Sequence, residues 1–305
     1  IMENNIIVRI AEGLGNQMFM YANAFNLFKK INYKLLVDNE SAYFKKKDIR
    51  NFHLDSFNIS AQIANQDYKF NNHFKNIRRK IMIKLDKIRK KKKFIIEKKF
   101  NKKETKFEEI DTNNLSNLVY VEGNYESEKY FNLNRDLLLE EFKINIDNKF
   151  TRNKYHDFII KNKNRIISIC VRTNRYSERI NNKSNKISKS KSDIFTKENI
   201  EYVYRAIQNF PKKIDNPIYL LWSNDFQDLH ESFSDKKFIF VENEQNKTIM
   251  DFYLLTMCQN FIVGPTSFHW WGAWLSQNNN KICVRPKNIN QSSNLDFWPD
   301  SWISL

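Results

Sequence analysis

No apolar run in this 305-residue sequence approaches the roughly 18 residues needed to cross a bilayer. The apolar stretch at residues 6–10 is short and leads straight into a charged turn, so no signal peptide is expected. Cysteine is scarce: Cys170, Cys258 and Cys283 are isolated in apolar runs, as reduced core residues of a cytosolic protein would be. No Cys/His ligand spacing is present, so no structural zinc site is expected; no cofactor is expected either. Recognised nucleic-acid motifs are also missing, and nucleic acid is not an expected partner in spite of the +16 formal charge.

That charge is local. Between residues 75 and 103 stand fifteen Lys/Arg against Asp86 and Glu97, which is +13 of the total +16. The remaining chain is close to neutral. Interspersed Ile81, Ile83, Leu85, Ile88, Phe94, Ile95 and Ile96 suggest a basic amphipathic helix or helical pair, an excursion suited to an anionic membrane surface. A solvated lysine-rich helix is the equal alternative. The expected location is the cytoplasm, with peripheral contact at the inner face of the membrane through residues 75–103.

What is abundant is alternation of strand and helix. Residues 6–10 read as a buried strand, GLGNQ as a glycine turn, Phe19, Ala22, Phe25 and Phe28 as one helical face, and 35–37 as the next strand, a βαβ unit. Gly13 and Gly15 allow close backbone approach, while Asn16 and Gln17 offer donors at the helix entrance. The third glycine and the correctly spaced acid of a dinucleotide fingerprint are lacking. After a polar stretch near 144–165 the pattern resumes with strands at 166–171, 218–222, 238–241, 261–263 and 282–284, and a helix expected from about 198 to 209. The fold class expected is α/β, two Rossmann-like domains facing across a cleft. The domains are set at 1–155, carrying the basic excursion, and 156–305.

Chemistry concentrates where strands end. Arg172 follows the strand at 166–171, and its planar fork suits a phosphate. Arg175, Glu178 and Arg179 follow within eight residues, and the polar loop running on to about Thr196 has the composition of a lid. Ser223, Asn224 and Asp225 end another strand on the same edge, where Asp225 is an N-cap or a base. The stretch 251–275, DFYLLTMCQNFIVGPTSFHWWGAWL, reads as helix, strand, hydroxyl-rich turn and helix, with Thr266 or Ser267 capping the last. Such a helix start suits a phosphate, although every helix needs a cap. Asp251 is either a nucleobase reader or a helix-dipole partner. His269 is expected to be a packed or surface residue.

Taken together, GLGNQMF (13–19), EGNYESEKYF (122–131), VR (171–172), WSND (222–225), DFYLLTMC (251–258), TSFHWWGAWL (266–275) and PDSWI (299–303) resemble the bacterial α-1,2-fucosyltransferases of glycosyltransferase family 11. The resemblance implies a GT-B type fold and a GDP-fucose donor held by the C-terminal domain. It also implies metal-independent, inverting transfer to a galactose-type hydroxyl of a glycan acceptor. On that reading Arg172 neutralises the diphosphate, Asp251 reads guanine, and Thr266 and Ser267 hold phosphate. Ser223, Asn224 and Phe268 complete the donor side, and Gly13, Gly15, Asn16 and Gln17 line the acceptor side.

The departures are specific. Cys170 stands where the family has His, Thr173 where it has a second Arg, Arg175 where it has Asp, Pro265 for Asn and His269 for Ser. With the acid at 175 gone, Glu178 is the substitute base and Asp225 the second choice. Another nucleotide-sugar donor, a non-catalytic nucleotide or glycan binder, and a basic membrane-surface scaffold are the alternative readings.

Overall fold

The structure is a computed structural model and describes residues 3–45, 50–178, 185–227, 229–243, 247–278, 280–290 and 292–305. The chain divides into two compact units, Ile1–Asn145 with Ser292–Pro299, and Ile146–Gln291 with Asp300–Leu305.

Unit 1 contains β1 (Asn5–Arg9), α1 (Leu14–Ile31), β2 (Lys34–Asp38), β3 (Gln62–Ile63), α2 (His73–Asp86), β4 (Lys92–Ile96), β5 (Leu115–Glu122) and α3 (Arg135–Glu141). The five strands form one parallel sheet in the order β3-β2-β1-β5-β4. Gly13 is the N-cap of α1, and Asn32 ends it in the left-handed region at φ 54°, which asparagine tolerates. Met18, Phe19, Ala22 and Phe25 of α1 are buried with β1, so the helix is fixed by its apolar faces.

The basic stretch differs from its expectation. It is a helix, α2, followed by the short strand β4 and then loop, and the strand belongs to the sheet rather than standing off it. Phe94 and Ile95 of β4 are buried, and Phe94 stacks on Tyr120 of β5 with ring centroids 5.2 Å apart. The buried Asp86 carboxylate accepts the N–H groups of Lys93 and Phe94 at 2.9 and 3.1 Å, which turns the chain from α2 into β4. On the inner side of α2, Arg79 forms a two-pronged bond to Glu122, 2.7 Å on each arm. The lysine runs disguise two buried residues that are enough to make an edge strand.

A single boundary at 155 also misses a return. The segment Ser292–Pro299 packs into unit 1, where Thr105 N–H donates to the Ser293 carbonyl and Leu295 N–H to the Thr105 carbonyl, both at 2.9 Å. Lys129 pairs with Asp296 at 2.5 Å, and Phe297 is buried 6.1 Å from the Phe19 ring.

Unit 2 contains α4 (Asn148–Thr151), α5 (Lys154–Asn162), β6 (Ile166–Cys170), α6 (Lys186–Gln208), β7 (Ile218–Trp222), β8 (Phe238–Phe240), α7 (Lys247–Thr256), β9 (Asn260–Ile262), α8 (Ser267–Leu275), β10 (Ile282–Arg285) and β11 (Ile303–Ser304). Its six parallel strands lie in the order β11-β10-β9-β6-β7-β8. The chain starts in the middle at β6, runs to one edge through β7 and β8, then returns to β9 and runs to the other. The reversal between β6 and β9 is the topological switch point, where open parallel sheets bind ligands at their carboxyl ends. Every residue of β6 is buried.

The helix after β6 begins at Lys186, about twelve residues before its expected start. Asn185 caps it by accepting the N–H groups of Ile187 and Ser188. Its buried face is Ser192, Phe195, Asn199, Tyr202, Val203 and Ala206, a helical spacing hidden from a hydrophobicity reading by two polar members. Residues 186–196 of the expected lid are therefore helix, and Arg179, with 180–184, lies outside the described residues.

Candidate active site

The switch point of unit 2 brings together three of the sequence segments singled out above. Gly264, after β9, lies so close to the end of β6 that a Cβ on it would stand 2.6 Å from the Cys170 carbonyl oxygen and 3.0 Å from the Cys170 Cβ. Only glycine fits that approach. Val171 N–H donates to the Trp222 carbonyl at 3.0 Å, extending the register between β6 and β7 by one residue and setting Arg172 at the sheet's edge.

The turn after Arg172 is built by asparagines. Asn224 clasps Thr173 in both directions: its Oδ1 accepts the Thr173 N–H at 3.1 Å and its Nδ2 donates to the Thr173 carbonyl at 3.2 Å. Asn174 adopts φ 54°, and its carbonyl accepts the N–H groups of Ser177 and Glu178, at 3.2 and 2.9 Å. The buried Ser192 hydroxyl accepts the Tyr176 and Ser177 N–H groups at 2.9 and 3.1 Å, which fastens the turn to α6. Glu178 is thereby folded back onto Arg172, and the two form an ion pair, with Arg175 3.9 Å from the same carboxylate. Two buried donors at these strand ends, Arg172 Nε and Trp222 Nε1, have no acceptor among the described residues. A buried donor without a protein acceptor is uncommon and can be met by a ligand oxygen or by water; Arg9 Nε and Arg285 Nε are in the same condition elsewhere in the protein.

Across the switch point Thr266 is the N-cap of α8: its Oγ1 accepts the His269 N–H at 3.0 Å. Of the two hydroxyls expected to cap this helix, Thr266 does so, and Ser267 opens the first turn. Phe268 packs edge-on against Phe252 of α7, centroids 5.3 Å apart. His269 is fully buried. Its Nδ1 accepts the Gly264 N–H at 3.0 Å, so Nε2 carries the proton and donates to Ser168 Oγ, also at 3.0 Å. Burial pulls its pKa down to about 3, which keeps it neutral. It is a packing residue that holds the glycine turn to β6. Burial pushes the Cys170 thiol up to about 12, so it supplies no thiolate.

The other expected donor residues are committed to neighbours within the protein. Asp251 is buried, and its Oδ1 accepts from Asn243 Nδ2 at 2.6 Å, while Asn243 in turn accepts from Asn153 at 2.7 Å. Ser223 Oγ donates to the Asp225 carbonyl at 2.7 Å, and Asp225 Oδ1 accepts the Gln227 N–H at 3.0 Å in a local turn; no helix follows it before β8 among the described residues, so Asp225 is not the N-cap that its alternative reading expects. Asp225 Oδ2 also accepts from Asn174 Nδ2 at 3.3 Å.

Unit 1 has its own hollow of about 250 Å³ at the carboxyl end of β1, lined among others by Arg9, Glu12, Tyr43, Lys45, Arg50 and Asn76. Gly13 stands at the α1 start with open space where a Cβ would be, and Gly15 is buried while Asn16 is half-buried. Gln17 is turned inward. Its amide nitrogen reaches the Glu12 carbonyl, the Tyr43 hydroxyl and the Asn51 carbonyl at 2.9, 2.9 and 2.7 Å, and its Oε1 accepts the His53 N–H at 2.9 Å. It holds the wall of the hollow in place and does not line it. Arg9 and Arg50 were not singled out from the sequence. The signal for Arg9 was a lone charge at the end of an apolar strand, and it is held with Nε buried and its pKa lowered by desolvation.

The chain is thus an α/β protein of two units, each built on a parallel sheet, the second carrying an arginine and a capped helix start at its switch point. The sequence matches the glycosyl transferase family 11 over residues 3–303, and the protein belongs to that family of glycosyltransferases. It is 27% identical to the O-antigen biosynthesis glycosyltransferase WbnK of Escherichia coli, over 97% of this chain and 99% of that one. It is 24% identical to an Escherichia coli alpha-1,2-colitosyltransferase, over 98% of each. Among solved structures, a variant of Arabidopsis thaliana FUT1 in complex with GDP aligns with TM-score 0.52 and 12% identity, over 94% of this chain and 71% of that one. NodZ alpha-1,6-fucosyltransferase co-crystallised with GDP aligns with TM-score 0.50 and 14% identity, over 89% and 92%. The shared fold is of the GT-B type.

Proposed function

We propose that the protein transfers L-fucose from GDP-fucose to a galactose-type hydroxyl of a bacterial surface glycan, forming an α-1,2 linkage with inversion and without a metal. The observation that carries this reading is Arg172 at the switch point, a fixed cation with an unsatisfied buried donor beside the N-terminus of α8. Both supply positive potential where a leaving diphosphate gains charge, which is the main demand of glycosyl transfer from a nucleotide.

In this mechanism the acceptor oxygen attacks the anomeric carbon from the face opposite the nucleotide. The carbon–oxygen bond to the diphosphate breaks, and its electron pair leaves on GDP. Arg172 and the first turn of α8 stabilise that charge, while Thr266 keeps the helix start in register. Glu178 takes the hydroxyl proton, with Asp225 as second candidate. The Arg172–Glu178 pair supports an order of events: a diphosphate that takes the Arg172 fork releases the carboxylate for proton transfer. Asp251, freed from Asn243, would accept two hydrogen bonds from the guanine edge. The hollow at the end of β1 is assigned to the acceptor; Gln17 braces its wall, while Gly13, Gly15 and Asn16 stand at the adjoining start of α1 and are not among its lining residues.

The second reading keeps the site and changes the sugar. It is favoured by the relative named as a colitosyltransferase and by Thr173 and Arg175 in the turn beside Arg172. Titration with GDP, UDP and CDP, then turnover with a panel of GDP-sugars and galactosides and assignment of the product linkage by NMR, tests both. Preferential GDP binding with a fucosylated α-1,2 product supports the first reading. Preferential UDP binding overturns both readings, and GDP binding with transfer only of another sugar overturns the first.

A further inference from the structure

The outer face of α2 takes no part in the proposed transfer reaction. Phe74, Ile77, Ile81 and Leu85 are 86, 56, 52 and 46% exposed, and Ile88, just past the helix end, is 84% exposed. At 3.6 residues per turn these positions share an arc of roughly 80°. They form a continuous apolar stripe along a helix whose opposite side is fastened to the sheet by Arg79 and Asp86. Single exposed apolar residues are ordinary, but an aligned row of five is not.

The charges around the stripe are of one sign. By helical spacing Arg78 lies on one flank and Lys80 and Lys84 on the other, all exposed, and exposed Lys87 and Lys90 continue the field past the helix. Asp86 is the one acid between Asp67 and Glu97, and it is buried on the inner side. A stripe of large apolar side chains edged on both sides by exposed cations is complementary to an anionic bilayer. The rings and branched chains enter the acyl boundary, and the cations meet headgroup phosphates. Stacking of a second copy through this face would set its cations against each other, which disfavours self-association.

We propose that α2 docks the protein on anionic lipid membranes through Phe74, Ile77, Ile81, Leu85 and Ile88, with Arg78, Lys80, Lys84 and Lys87 on the headgroups. The assignment is independent of which sugar is transferred.

The test is flotation of the full-length protein with vesicles of phosphatidylcholine alone or mixed with phosphatidylglycerol, alongside Phe74→Ser/Ile81→Ser and Arg78→Glu/Lys84→Glu. All four positions are exposed, so the fold and GDP affinity should be retained, and thermal melting and GDP titration check this. Expected is binding to the mixed vesicles only, weakened by salt, with each double variant losing on the order of tenfold in partitioning. Equal binding to both vesicle types, no binding, or variants that bind like wild type would overturn the proposal. So would a dimer that is lost in the serine variant, because it would show that a second copy is the occupant.

Discussion

Arg172 and Glu178 are joined in an ion pair across one turn, and that turn exists because Asn174 takes a left-handed conformation and receives two N–H groups from the returning chain. The pair therefore has a covalent tether of six residues and a second anchor at Ser192. In the proposed mechanism a diphosphate competing for Arg172 would meet a cation already oriented, which would reduce the ordering cost of binding.

Glu178→Gln keeps the size of the side chain and removes its basicity. Turnover is expected to fall roughly 10² to 10⁴ fold, while affinity for GDP holds or rises because the competing carboxylate is gone from Arg172. Steady-state GDP release with donor and acceptor varied separately measures this. Wild-type turnover in Glu178→Gln excludes the carboxylate as base, and Asp225→Asn is then the next variant.

Gly264→Ala places a methyl 2.6 Å from a backbone carbonyl that cannot move without parting β6 from β9. Destabilisation of about 1 to 3 kcal/mol is expected, with GDP affinity lost alongside it. At Gly13 a Cβ meets nothing within 4 Å, so Gly13→Ala is expected to lose only the modest cost of alanine at an N-cap, well under that of Gly264→Ala. Thermal melts of the two variants give the contrast, and equal melting temperatures would contradict the close approach at Gly264.

Gln17→Leu would remove the amide that ties Glu12, Tyr43, Asn51 and His53 together. The buried partners left behind are expected to cost about 1 to 3 kcal/mol. The acceptor KM is expected to rise more than the donor KM, because the hollow at the end of β1 loses its wall. Equal effects on both substrates would argue against the acceptor assignment.

His269 gives a pH signature. Its folded pKa is depressed to about 3 from an ordinary value of 6.5, so the unfolded chain takes up a proton that the folded chain refuses. Stability contributed by the neutral ring is complete above about pH 6.5 and declines as pH falls toward 3, at up to about 1.4 kcal/mol per pH unit. Urea denaturation at pH 8, 6 and 5 checks this. The loss between pH 6 and 5 should shrink in His269→Gln, if that variant folds. A wild-type chain with no loss of stability over that interval would contradict the buried neutral imidazole.

Much of this was legible in local sequence. Alternating apolar runs announced parallel sheets, Arg172 was visible as a cation at a strand end, and Thr266 was one of two hydroxyls marking a helix start. What escaped depends on partners distant in the chain. The start of α6 was hidden because Ser192 and Asn199 occupy its buried face, Ser192 to receive the turn at Tyr176 and Ser177. β4 was masked by lysines on both sides of Phe94 and Ile95. The return of Ser292–Pro299 to unit 1 rests on Thr105, Lys129 and Phe19, which no nearby pattern foretells. The inward turn of Gln17 depends likewise on acceptors that come from loops 26 and 34 residues away.

The central claim is that Arg172 grips the diphosphate of a guanosine nucleotide, and calorimetric titration of GDP into wild type and Arg172→Ala tests it most directly. Wild type is expected to bind GDP in preference to UDP and CDP. Loss of one charge-assisted contact should weaken GDP binding roughly 10 to 100 fold in a variant that melts normally. A normally folded Arg172→Ala protein that binds GDP as tightly as wild type would contradict the account.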